Sequence, residues 1–213
     1  SASELLKKQS GTSTDLAFDY SLATDKRDRS FMPTSGHYTS FYQELPVYSE
    51  DPSVKNTFST NHYKEFSDDV IGAFKLSASA INAISEDDVR ISKRIGLSAS
   101  KLRGFEPGKV GPKDGNDYIG GNYATVVNFE ANFPNFFPEK SNAEVGLFLD
   151  AGNLWGVDYS DAIDDSNKIR STIGLNTSWM SPAGPLSFIF SQNLTKASTD
   201  QAQSFNFRLG TTF

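Results

Sequence analysis

Hydrophobic and polar positions alternate along most of the chain, and the pattern is clearest at its end. In the closing stretch SFNFRLGTTF, Phe205, Phe207, Leu209, Thr211 and Phe213 fall on one face of an extended strand. Ser204, Asn206, Arg208, Gly210 and Thr212 fall on the other. The same period of two recurs upstream. Leu186, Phe188 and Phe190 alternate with Ser187, Ile189 and Ser191. Ile169, Ile173, Leu175 and Trp179 alternate with Arg170, Thr172, Asn176 and Ser178. Val145, Leu147 and Leu149 oppose Glu144, Phe148 and Asp150, while Tyr123, Val127 and Phe129 oppose Ala124, Val126, Asn128 and Glu130. Further back, Phe74, Leu76 and Ala78 alternate with Lys75, Ser77 and Ser79, and Leu16, Phe18, Tyr20 and Leu22 with Ala17, Asp19 and Ser21. Residues 37–48 and 57–66 have strand-like composition with poor alternation. The pattern predicts about nine strands, several of them near the length that crosses a bilayer at a tilt, and no segment with helical period.

The connections predict the topology. SPAGP (181–185) and SDD (67–69) read as tight turns, whereas residues 86–120 form a very long loop. Placing the C-terminus on the periplasmic side puts loops 49–56, 86–120, 156–167 and 196–202 outside. Trp155 and Trp179 then fall at opposite ends of neighbouring strands, where aromatic girdles belong.

Composition by itself describes an ordinary soluble protein: 37% hydrophobic, 22% charged, mean hydropathy −0.43. No run approaches the roughly 20 apolar residues of a spanning helix. A membrane barrel passes that test unseen, because only every second residue faces lipid. A soluble sandwich would show the same alternation around a packed core, so pattern and composition leave both open. The absence of cysteine excludes a disulfide scaffold and thiolate metal sites. A formal charge of −6 argues against a nucleic-acid partner.

Candidate chemistry is sparse. His37 and His62 have no nucleophile motif, no H-E-x-x-H and no cysteine to work with, and read as strand-end or lumen residues. The acidic segment VDYSDAIDDSNK (157–168) lacks EF-hand spacing and reads as a solvated outer loop. Neither a catalytic residue nor a metal or cofactor site is predicted.

Five ordered motifs choose between sandwich and barrel. KLRGF (101–105), followed by GPKDG and GGN, resembles the signature long loop of the bacterial surface-antigen family of outer-membrane barrels. RDRSFMPTSG (27–36) resembles that family's periplasmic turn, FLDAGNLW (148–155) its Asp-x-Gly strand and WMSPAGPLSF (179–188) its last hairpin. The ending on Phe213 resembles a terminal sorting signal. Leu102 stands where the family usually has Val, a change conservative in volume. The resemblance implies an antiparallel transmembrane β-barrel of sixteen strands, of which this chain corresponds to about nine C-terminal ones over residues 1–213. On that resemblance, N-terminal strands and periplasmic domains are expected to be absent from it.

The resemblance further implies an integral protein of the bacterial outer membrane that folds and inserts other β-barrel proteins without cofactor or ATP. Its partners would be the bilayer, unfolded barrel clients and accessory lipoproteins. A polypeptide-export or translocation-and-assembly transporter of the same barrel family is the alternative, and a passive porin a more distant one. The last strand, with Phe205, Phe207, Leu209, Gly210 and Phe213, would form one lip of a lateral seam, weakened near its end by Gly210. Loop 86–120 is expected to fold into the lumen, with Gly104 permitting a bend and Phe105 packing on the wall. By parity Glu130 and Asp150 face that lumen from adjacent strands, where two carboxylates need a cation. Arg103 is the expected partner of both, and the Leu102–Phe105 motif the element that carries it.

Overall fold

The computed structural model describes Lys7, Gln9 and residues 12–210 apart from 86–87, 164–166 and 183. Among these, nine long-range strands form one antiparallel sheet. Its members are β1 (Asp15–Asp25), β2 (Gly36–Ser49), β3 (Ser53–Ser67), β4 (Val70–Ala83), β7 (Tyr123–Phe133), β8 (Ala143–Trp155), β9 (Arg170–Ser181), β10 (Gly184–Thr195) and β11 (Phe205–Leu209). They pair in chain order, from β1 at one edge to β11 at the other. A two-residue hairpin, β5 (Lys113–Asp114) with β6 (Asp117–Tyr118), lies inside the long loop. The sheet is not closed: among the described residues β1 and β11 are edge strands.

Alternation decides which way each strand faces. Leu16, Phe18, Leu22, Phe129, Leu147, Leu149, Ile173, Leu175, Phe190, Phe205, Phe207 and Leu209 all stand exposed on the convex side. The opposite parity, including Val126, Asn128, Phe148, Asp150, Arg170 and Thr172, is buried. An apolar exterior around a polar interior is the reverse of a soluble sandwich and is the arrangement that lipid requires. The apolar core does not lie between two sheets. It lies between the long loop and the wall, where Val89, Ile95, Leu102, Phe105 and Val110 cover Ile81, Ala124, Val126 and Leu154.

Two expectations about connections are corrected. The outer loop expected at 49–56 shrinks to residues 50–52, because residues 53–56 continue β3 and pair with β4. It is shorter than the connections 26–35 and 134–142 at the other end, so loop length alone does not separate the two ends. The poorly alternating segments are strands nonetheless, since ladder pairing with their neighbours overrides their mixed faces. The terminal strand is described only over Phe205–Leu209; Thr211, Thr212 and Phe213 lie outside the described residues.

Candidate functional site

The long loop returns into the concave side of the sheet. Residues 98–102 make a tight turn, with the amides of Lys101 and Leu102 donating to the Ser98 carbonyl. Gly104 follows with φ +87°, a conformation that costs glycine little. Leu102 (1% exposed) and Phe105 (2%) pack into the apolar cluster on either side of Arg103. The backbone bend therefore turns the arginine alone toward the polar part of the wall.

Arg103 is 6% exposed. Its Nε and Nη2 donate to Asp150 Oδ2 at 2.7 Å and Oδ1 at 2.6 Å, and its backbone amide adds a bond of 3.1 Å to Oδ2. Nη1 lies 2.8 Å from Glu130 Oε1. Lys75, on β4, donates to the other Glu130 oxygen at 2.9 Å. Two cations and two carboxylates thus close a charge-balanced quartet over β4, β7 and β8, and the Phe148 ring lies under the guanidinium. Charge-assisted bonds of this length, paired in a fork, offset the desolvation of the buried groups. Asn128 Nδ2 donates to the Lys101 carbonyl at 2.8 Å and Lys101 Nζ to Ser77 Oγ at 2.8 Å, fixing the approach to the arginine.

Other bonds fasten the outer part of the loop. The Arg170 guanidinium meets Asp200 at 2.8 and 3.0 Å, and Asp200 also accepts from the Ala197 amide at 2.6 Å and the Gly111 amide at 3.3 Å. Asp158 accepts from Arg94, from the Val89 amide at 2.8 Å and from Asn122 at 2.9 Å. Residues 157–158 are therefore a fastening for the long loop, which corrects the reading of 157–168 as merely solvated. A cavity of about 410 Å³ on the concave side is lined by Arg27, Phe31, Lys75, Arg103, Glu144 and Arg208. Its charged lining suits peptide or water better than an apolar ligand.

The predicted residues thus separate into two groups. Leu102, Arg103, Gly104, Phe105, Glu130 and Asp150 come together in the lumen. Phe205, Phe207 and Leu209 stand on the convex face, and Gly210 ends β11 at φ +101° with its amide on the Pro185 carbonyl at 2.8 Å. Phe213 lies outside the described residues. His37 and His62 stack across β2 and β3 with ring centres 5.4 Å apart, His37 at the start of β2 and His62 within β3, on the face opposite Tyr38 and Asn61; the expectation of strand-end or lumen residues is therefore corrected for His62. Sequence reasoning missed Lys75, Phe148, Asp158 and Asp200 as partners. Parity placed Lys75 and Phe148 on the inner face, but only the strand register brings them beside Glu130 and Asp150.

Comparison with known proteins bears on the family and the fold. The chain is 26% identical to the outer membrane protein assembly factor BamA of Neorickettsia risticii, over 100% of this chain and 29% of that one. It is 28% identical to the BamA of Neisseria meningitidis serogroup B, over 89% of this chain and 28% of the relative. The chain therefore spans less than a third of the length of these relatives. Its fold superposes on a crystal structure of Haemophilus ducreyi BamA lacking POTRA domains 1–3, with a TM-score of 0.84 at 23% identity, covering 92% of this chain and 42% of the other. The Omp85 superfamily domain matches residues 1–213, and the chain belongs to that superfamily.

Proposed function

We propose that this chain is the C-terminal part of a larger outer-membrane barrel that folds and inserts other β-barrel proteins, presenting its last strand as one lip of a lateral seam. The names of its relatives support membership of an assembly family. The seam, the independence from ATP and the larger barrel are this reading's own. The observation that carries it is β11. Among the described residues that strand has five, beside a β10 of twelve, and Gly210 in a left-handed conformation follows it. A short edge strand holds its neighbour weakly, while its unpaired N–H and C=O groups can template an incoming strand that lipid would otherwise leave unsatisfied. Unfolded barrel proteins are then the clients, the bilayer the medium and accessory lipoproteins further partners. The Arg103 quartet keeps the long loop inside the lumen while the seam works.

The test is photo-crosslinking in the full-length protein, reconstituted in liposomes without nucleotide and given an unfolded barrel client. A photoreactive residue at Asn206 or Phe207 on β11 is expected to capture the client during insertion, and one at Leu147 on β8 is not. Equal capture at Leu147, or none on β11, would overturn the seam. A client delivered into the liposome interior instead of its membrane would favour the export transporter.

A further inference from the structure

The long loop touches the last described strand near its end and also touches the segment that leads into it. The Gly104 carbonyl accepts from the Gln203 amide at 3.0 Å and from Asn193 Nδ2 at 2.9 Å. Beside it the Glu106 amide donates to the Gln201 carbonyl, and the Gln201 amide to the Lys109 carbonyl, each at 3.0 Å. Phe105 and Ala202 form an antiparallel bridge. Residues 104–109 and 201–203 are thus a short ribbon, and the chain passes from it directly into Phe205, the first residue of β11. At the other end of β11, Arg208 points into the lumen and its guanidinium donates to the carbonyl of Ala99, four residues before Arg103.

We propose that the inward loop is a brace for β11, attached through the Gly104 carbonyl to Gln203 in the segment that leads into the strand and through Arg208 near the strand's end. Among the described residues β11 pairs only with β10, over Phe205–Leu209. A ladder that short leaves the strand near the low-stability end of the fold, so a few added bonds change its freedom markedly. The loop itself is held on β7 and β8 by Arg103, which makes the freedom of β11 depend on a bond two strands away from its own partner. Arg208 acts as a positioning residue: its backbone lies opposite Ser187 in the ladder, while its side chain takes no part in pairing and fixes where the strand lies relative to the loop. The inference rests on the reading of β11 as a seam and adds that the seam is held from inside the lumen.

Hydrogen–deuterium exchange of the full-length protein in lipid nanodiscs tests it, reading 97–107, 201–204 and 205–209 with 145–151 of β8 as control. Arg208→Ala is expected to speed exchange in 205–209 by about tenfold, with β8 unchanged, and Arg208→Lys to restore most of the protection. Asn193→Ala should speed 201–204 and the start of β11, and Arg103→Ala all three regions. If Arg103→Ala frees 97–107 while 205–209 exchanges at the wild-type rate, the brace is wrong. Should that variant fail to fold, Arg208→Ala and Asn193→Ala decide the matter, and unchanged exchange of 205–209 in both overturns the proposal. Client insertion is measured in parallel: a wild type that inserts no client sinks the seam and leaves the brace standing, whereas insertion with unaltered exchange of 205–209 in both Arg208→Ala and Asn193→Ala does the reverse.

Discussion

The guanidinium carbon of Arg103 stands 3.7 Å from the centre of the Phe148 ring. Phe148 lies opposite Glu130 in the β7–β8 register and two residues from Asp150 on the same face. Ring and carboxylates together make a slot with a flat floor and acidic sides, which a planar fork fills and a single ammonium does not. Removing Arg103 leaves Asp150, which is 0% exposed, without its cation. Breaking a buried pair in this way costs about 3–5 kcal/mol. The expected order of thermal stability in detergent is wild type above Arg103→Lys above Arg103→Ala, with Phe148→Leu losing about 1 kcal/mol. Wild-type melting of Arg103→Lys would show that the fork geometry is unimportant.

Gly104→Ala should loosen the loop for two separable reasons. A Cβ would lie 2.7 Å from Thr172 Cγ2, and the φ of +87° disfavours any L side chain. Thr172→Ser removes the methyl but not the backbone strain. The double variant should therefore recover part of the loss, read as resistance of the 86–121 loop to limited proteolysis. Full recovery would mean that the backbone conformation contributes nothing.

Polar side chains on the convex face satisfy one another. The Tyr20 hydroxyl donates to Gln43 Oε1 at 2.9 Å, and Gln43 Nε2 to Asn56 Oδ1 at 2.6 Å, across three strands and on the side of Leu16 and Leu22. In lipid, Gln43→Leu would strand two polar groups, at about 1–3 kcal/mol each. Replacing all three, as Tyr20→Phe, Gln43→Leu and Asn56→Leu, should be less costly than the single change. Equilibrium unfolding in liposomes reads the difference. If this face met water, the single variant would melt like wild type.

The turn after β1 carries a pH dependence. Burial alone would raise the Asp28 carboxyl, but bonds from the Ser35 amide and from the Thr34 hydroxyl and amide outweigh it and hold it below the usual 3.8. A group whose folded value is depressed stabilises the fold above its unfolded value and loses that contribution as pH falls through the folded value. Turn 26–35 should open below about pH 4, seen as proteolytic cleavage between Arg27 and Ser35, and Asp28→Asn should remove that pH dependence. Cleavage that begins near pH 6 would contradict it.

Much of the fold was legible because period-two alternation is local: Phe205 and Phe207 on one face, Asn206 and Arg208 on the other, follow from the pleat alone. Strand length was less legible, since residues 53–56 become strand only by pairing with β4. The loop-anchoring set was half visible. Parity put Glu130 and Asp150 in the lumen, and the resemblance supplied Arg103.

What the sequence by itself determined is which side chains share a face, because that needs only adjacent residues and a fixed backbone geometry. The tertiary structure alone decided which of them meet. Lys75 comes to Glu130 across 55 positions, and Arg170 to Asp200 across 30. It also decided that Gly104 meets Gln203 and that Ala99 meets Arg208. Such meetings depend on the register between strands and on how far a long loop folds back, and both are set by pairing across the whole sheet and not by any local run of residues.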